Sequence, residues 1–336
     1  MKCFLALFAT LALAADTPAN LRSCAQCHPA QAKPHPLTGM AHAIETIAEC
    51  TILRENPLLN FKSGPYSYSI KRDGFQSLYT VTDGVNSITV PIGWAFGLGV
   101  AGQTYVYQYQ GSFYESRVSF YRQLQGLDFT MGTTRSNFRN LVDALGRKMP
   151  PREGIECFNC HSTNSITANK VDVAALTPGV QCERCHGPTE THLAAFKTGN
   201  PEGGQMKKLD LLNAEEMNNF CGQCHRTWEQ IAADGPHSVG NVRFQPYRLT
   251  NSKCYDAEDR RIRCVACHDP HLNLVRDNLS SYDSRCLACH ASAKHCPVAT
   301  QNCVSCHMPK TELPGSHHQF TDHQIRIARA NAPYPP

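Results

Sequence analysis

Residues 264–271 read CVACHDPH, with Cys264, Cys267 and His268 as one unit and His271 three residues further on. Cys-x-x-Cys-His is the attachment signature of c-type haem. Each cysteine sulfur forms a thioether to a vinyl group of the porphyrin, and the adjoining histidine ligates the iron as its proximal ligand. His271 stands too close to His268 to cross to the opposite face of the same haem. It is expected to reach a neighbouring iron as a distal ligand.

The unit recurs along the chain. It appears as CAQCH (24–28), CFNCH (157–161), CERCH (182–186), CGQCH (221–225), CVACH (264–268), CLACH (286–290) and CVSCH (303–307). The predicted thioether cysteines are therefore Cys24, Cys27, Cys157, Cys160, Cys182, Cys185, Cys221, Cys224, Cys264, Cys267, Cys286, Cys289, Cys303 and Cys306. The predicted proximal ligands are His28, His161, His186, His225, His268, His290 and His307. Zinc ribbons and redox cysteine pairs need no histidine in that place. Seven covalently attached haems are the expectation.

The first motif stands alone near the N-terminus, a long haem-free stretch follows, and the other six crowd residues 157–307. The opening MKCFLALFATLALAAD has one lysine, an apolar run and the small-residue site Ala12-Leu13-Ala14. That is the pattern of a cleaved secretory signal peptide, with cleavage after Ala14 or Ala15, and it is too short for a membrane span. No later run reaches the roughly 18 apolar residues of a transmembrane helix. The expected product is exported, periplasmic or extracellular. The formal charge is +4 and the sequence pI 8.3. Each oxidised haem adds roughly −1 through its two propionates, which brings the mature holoprotein to about −4 oxidised and about −11 reduced. No cluster of Lys and Arg supports nucleic-acid binding.

Between the first and second motifs the pattern is β. Tyr66–Lys71 alternates, Asp73-Gly74 and Asp83-Gly84 are turns, and Gln76–Thr82, Asn86–Ile92, Thr104–Tyr109 and Phe113–Tyr121 read as strands. A small antiparallel sheet is expected over about 61–125, with a short helix over 134–147. Gly97-Leu-Gly-Val-Ala-Gly102 matches GxGxxG, but a strand pattern follows where a dinucleotide site needs a helix, so a glycine-rich hairpin bend is expected. The fold class is then a multihaem cytochrome c: short helices and irregular loops around stacked haems, with a small antiparallel β insert. The expected divisions are a signal peptide at 1–15, an N-terminal monohaem segment at 16–60, a β-rich insert with a short C-terminal helix at 61–150 and a hexahaem domain at 151–336.

Low-spin haems want a second axial ligand. Nine histidines lie outside the motifs: 35, 42, 192, 237, 271, 295, 317, 318 and 323. His192 in CHGPTETH follows the same logic as His271. His323, His295, His237 and one of His317 and His318 are further candidates. For the first haem, His35, Met40 and His42 lie just downstream, and Met40 would give a His/Met haem of raised potential. Three other cysteines of the mature chain remain, Cys50, Cys254 and Cys296, and a Cys254–Cys296 disulfide is the expected pairing in an exported protein.

The segments CERCHGPTETH, SKCY…CVACHDPH, the tail CPVATQNCVSCHMPKTELPGSHHQFTDHQIRI and the N-terminal CAQCHPAQAKPHPLTGMAHA resemble multihaem cytochromes of the cytochrome c-554 type. The wider group includes hydroxylamine oxidoreductase and pentahaem nitrite reductase. The resemblance implies haems in parallel and perpendicular pairs, with the histidine after CHGP or CHDP ligating a neighbouring haem. Met40 falls about where a relative has a histidine.

Three functions follow from these readings. The first is electron transfer along a haem chain, with other cytochromes or quinol-linked membrane complexes as redox partners. The second is a reductase or oxidoreductase of small nitrogen or sulfur compounds at a haem with an open axial position. No CxxCK motif of the nitrite-reductase kind occurs. The third is a subunit of a cytochrome filament, and the insert is expected either to shield the first haem or to dock a partner.

Overall fold

A computed structural model of the chain describes residues 24–133, 138–236, 238–291, 296–329 and 334–335. The expected signal peptide, His237, His295 and residues 134–137 of the expected short helix lie outside the described residues.

The stretch between the first two motifs folds into two antiparallel sheets. One joins β2 (Leu58–Ser63), β3 (Tyr66–Asp73), β4 (Gln76–Thr82) and β5 (Ser87–Pro91) in that order. The other runs β1 (Ile44–Thr46), β6 (Trp94–Phe96), β7 (Gln103–Tyr109), β8 (Ser112–Tyr121) and β10 (Gly146–Lys148), with β9 (Gly126–Phe129) also paired to β8. Along β4, Ser77, Tyr79 and Val81 are buried while their neighbours are not, the period-2 alternation of a half-buried strand. The β7–β8 hairpin turns on Gln110 and Gly111 with φ of 48° and 74°. Two successive left-handed residues give the turn whose twist matches the flanking strands. The inward side chains of both sheets form one core, including Tyr68, Ile70, Tyr79 and Val81 from the first and Tyr105, Tyr107, Val118 and Phe120 from the second.

The unit is larger than a small sheet over 61–125. It starts at Ile44, inside the segment expected to belong to the first haem, and closes at Lys148. The edge strands β1 and β10 are three residues each, too short to show a period in the sequence. The glycine-rich stretch is a bend between β6 and β7, with Gly99 N–H donating to the Gly102 carbonyl.

From Pro151 onward the chain is short helices and loops, with three small two-stranded antiparallel ribbons. A second apolar cluster joins the two parts. Ile44, Phe96 and Val106 of the sheets pack with Met149 and Phe158, with Trp94, Phe113 and Cys157 alongside. Phe158 lies on the helix Pro151–His161, and its ring meets Trp94, Phe96 and Phe113, each at 5.2 Å between centroids. The insert therefore backs onto the second motif, rather than standing only as a cover over the first. Among the described residues no helix is long and apolar enough to cross a membrane.

Candidate haem attachment and ligation sites

Most motifs sit on a turn of helix. Cys182–His186 and Cys303–His307 are helices in themselves, Pro151–His161 and Ala214–His225 end on their motifs, and Cys264–Cys267 ends one residue before its histidine. Helical spacing places residues i, i+3 and i+4 on one face. The two sulfurs and the histidine then point to the same side, as a porphyrin held at two edges and ligated from below requires. Ala214–His225 begins on a capping box between Asn213 and Glu216, so its start is fixed by sequence and its end delivers Cys221, Cys224 and His225.

Three pairs of rings face each other at nearly one spacing. His28 and His192 have centroids 6.4 Å apart, His186 and His271 6.2 Å, and His268 and His323 6.2 Å. Two axial iron–nitrogen bonds of about 2 Å, with about 1.1 Å from each nitrogen to its ring centre, sum to about 6.2 Å. In each pair one ring belongs to a motif and the other to a histidine that sequence reading marked as distal. The spacing matches what one iron held between two imidazoles would require, and lies within the roughly 4.5–7 Å range that aromatic contacts also span.

Hydrogen bonds orient the rings. Nδ1 of His192 donates to the Gly204 carbonyl at 2.8 Å, and Nδ1 of His323 to the Thr321 carbonyl at 3.0 Å. His271 Nδ1 lies 3.0 Å from Asp269 Oδ1. Among the motif histidines, His161 Nδ1 donates to the Ala43 carbonyl at 2.8 Å and His307 Nδ1 to the Arg326 carbonyl at 2.9 Å. A carbonyl only accepts, so in these rings Nδ1 carries the proton and Nε2 presents its lone pair. Burial pushes the imidazolium pKa of His161, His186, His225 and His268 below the ordinary value, and that of His323 down to about 4. Neutral rings are the form in which histidine binds a metal. Among the described residues no group of three or more His, Cys, Asp or Glu converges as a metal-only site would need. A porphyrin that brings its own four nitrogens fits the donor set, and a zinc site does not.

The other candidates fall elsewhere. His42 has both ring nitrogens engaged, Nδ1 with Glu45 Oε1 at 3.0 Å and Nε2 with the Pro36 carbonyl at 2.7 Å. Met40 is half-buried in the loop that leads to Ala43, next to the second motif's His161. His35 is buried with Nδ1 unpartnered. His317 Nε2 lies 2.8 Å from Asp128 Oδ2 with its ring against Tyr121, tying the tail to the β insert. His318 packs edge-on to Phe320. The expected Cys254–Cys296 disulfide is absent: both are free, exposed thiols, and Cys50 is a free buried thiol that donates to Gln103 Oε1 at 3.3 Å. Cys254 lies toward the motif cysteine Cys289 rather than toward Cys296, a neighbour that sequence separation does not reveal.

The second to fifth motifs abut one another, as do the sixth and seventh. Cys160 Sγ lies 3.4 Å from the Gln223 carbonyl oxygen, setting the second motif against the fourth. Arg184 of the third donates to the Asn159 carbonyl of the second at 3.1 Å. Cys264 Sγ of the fifth lies 3.1 Å from Asn218 Oδ1, on the helix of the fourth. Asp283, at the start of the sixth, accepts from the Asn302 and Cys303 backbone at the seventh at 2.7 and 2.9 Å.

Residues 130–187 match the family described as cytochrome c554 and c-prime. Over 191 residues the chain is 27% identical to the multiheme cytochrome MtrA of Shewanella baltica (strain OS185), covering 49% of each chain. The chain is a multihaem c-type cytochrome. This cytochrome spans about half the length of that curated relative. Its fold resembles the crystal structure of the outer cell wall cytochrome OcwA, with a TM-score of 0.52 at 14% identity over 90% of this chain and 78% of that one. What sequence reading missed are the carbonyls of Ala43, Gly204 and Arg326. A backbone acceptor leaves no residue-type signal.

Proposed function

We propose that this cytochrome carries seven covalently attached haems and passes electrons along them in the periplasm or outside the cell, between other redox proteins such as cytochromes or quinol-linked membrane complexes. The observation that carries the reading is the set of three facing ring pairs at 6.2–6.4 Å, with hydrogen-bonded Nδ1 atoms on the distal members. On this reading His192 is the distal ligand over the first motif, His271 over the third and His323 over the fifth. Two histidines on one iron leave it no position for a substrate, so such centres carry electrons rather than bind small molecules. The bound haem supplies a one-electron ferric–ferrous couple. The chain's own part is to hold the rings, keep Nε2 unprotonated and set the motifs side by side. The contacts from motif to motif support passage of electrons among the second, third, fourth and fifth motifs, and between the sixth and the seventh. The apolar N-terminal run and the need for haem attachment outside the cytoplasm support export.

The test is a mass spectrum of the purified holoprotein together with a reductive titration followed in the visible haem bands. The expected result is seven haems and seven electrons per chain, taken up without a substrate. A smaller covalent haem count would overturn the seven-haem reading. Catalytic turnover of nitrite or hydroxylamine by the reduced protein would replace the carrier with an enzyme.

A further inference from the structure

Arg248 is fully buried, the largest of the completely enclosed side chains among the described residues. It lies on the helix Gln245–Thr250, outside every motif. Its Nε and one terminal nitrogen donate to the two oxygens of Asp322 at 2.9 and 3.1 Å, a bidentate fork in which both residues are completely enclosed. The same guanidinium reaches Gln324 Oε1 at 2.6 Å and Asn241 Oδ1 at 3.2 Å, and stacks on Tyr334 with its carbon 4.7 Å from the ring centroid.

The segment it grips carries two haem contacts. His323, the next residue after Asp322, faces His268 of the fifth motif. The Arg326 carbonyl accepts from Nδ1 of His307, the histidine of the seventh motif, and Arg326 N–H returns a bond to the His307 carbonyl at 3.1 Å. Arg326 also binds Asp322 Oδ2 at 2.5 Å. The turn after the helix closes the grip: Ser252 Oγ accepts from Ile325 N–H at 2.8 Å and donates to the His323 carbonyl at 3.3 Å, and the Asn251 carbonyl accepts from Gln324 Nε2 at 3.2 Å.

We propose that Arg248 is a positioning residue for two haems at once. By fixing Asp322 it holds residues 322–326 as a clasp, whose His323 ring is presented to the fifth haem and whose Arg326 carbonyl orients His307 beneath the seventh. A guanidinium suits the task because its planar fork fixes the carboxylate in both distance and plane, which a lysine cannot do. The inference rests on the reading of His323 and His307 as iron ligands.

The experiment compares the holoprotein with Arg248→Gln, Arg248→Lys, Asp322→Asn and His323→Ala by haem-counting mass spectrometry, low-temperature electron paramagnetic resonance and potentiometric titration. Arg248→Gln is expected to keep seven haems, move the signals and potentials of two of the seven and leave the other five in place, with Arg248→Lys restoring part of the shift. Should Arg248→Gln fail to accumulate, Asp322→Asn, which keeps the carboxylate's shape and removes its charge, is expected to move the same two. Unchanged spectra and potentials, or a uniform change across all haems, would overturn the clasp. His323→Ala separates this failure from failure of the ligand reading: if it creates no high-spin centre, the ligand assignment itself is wrong.

Discussion

At the scale of single residues, the account turns on which nitrogen each histidine leaves free. His192 and His42 make the contrast. His192 donates Nδ1 to a carbonyl and turns its other edge to His28, whereas His42 has both nitrogens occupied. His192→Ala is therefore expected to convert one low-spin haem to high spin, while Met40→Ala and His42→Ala leave that haem low-spin, as read by electron paramagnetic resonance. His42 should behave as an ordinary titrating group. Its hydrogen bond to Glu45 raises its pKa above the usual value, against burial. A raised folded pKa gives stability that is full below the unfolded value of about 6.5 and is lost as pH rises through the folded value. The side chain is 45% exposed, so the effect is screened and small. His42→Gln should flatten the melting temperature against pH above about 6.5, and a slope that survives the substitution would place the titration elsewhere. The motif histidines were legible because Cys-x-x-Cys-His is contiguous. The candidate distal ones were legible only as spare histidines, since what selects among them is a partner from a different motif, distant in sequence, as between His28 and His192.

At the scale of elements, two features carry motifs to their places. The helix Pro151–His161 is anchored by Phe158, completely buried among Trp94, Phe96 and Phe113. Phe158→Ala removes the ring from a packed site, and such truncations cost about 3–5 kcal/mol. The expected result is a lower melting temperature of the holoprotein together with an altered environment of the second haem, checked by thermal denaturation and by haem-band circular dichroism. The strand segment before the third motif crosses the loop after Met40 so closely that a side chain at Gly179, where φ is +71°, would run into the Ala41 backbone carbonyl. Gly179→Ala should therefore loosen the crossing between the first and third motifs and raise protease sensitivity at residues 38–43 while leaving β2–β5 intact. The alternation of β3, β4, β7 and β8 was readable along the chain. The Phe158 contact was not, because nothing in CFNCH distinguishes a core phenylalanine from one exposed beside a porphyrin.

For the whole molecule, the haems change what composition implies. A sequence pI of 8.3 describes the polypeptide alone. With seven haems the oxidised protein is expected near −4, so isoelectric focusing of the holoprotein should place it below pH 7, and a pI above 8 would speak against seven attached haems. The multihaem class was legible from the motif count. The β insert was legible in kind, yet its extent and its docking on the second motif were set by tertiary packing. The central claim is that facing histidines hold single irons in a chain built to carry electrons. Its most direct test is low-temperature electron paramagnetic resonance of the oxidised holoprotein, with and without nitrite, hydroxylamine or cyanide. The account predicts low-spin signals, with at least the three haems of the first, third and fifth motifs unresponsive to every added ligand. A high-spin signal that shifts with a small ligand and disappears from none of the His192→Ala, His271→Ala or His323→Ala variants' additional high-spin components would locate an open iron elsewhere; failure of those three variants to create any high-spin signal would contradict the claim.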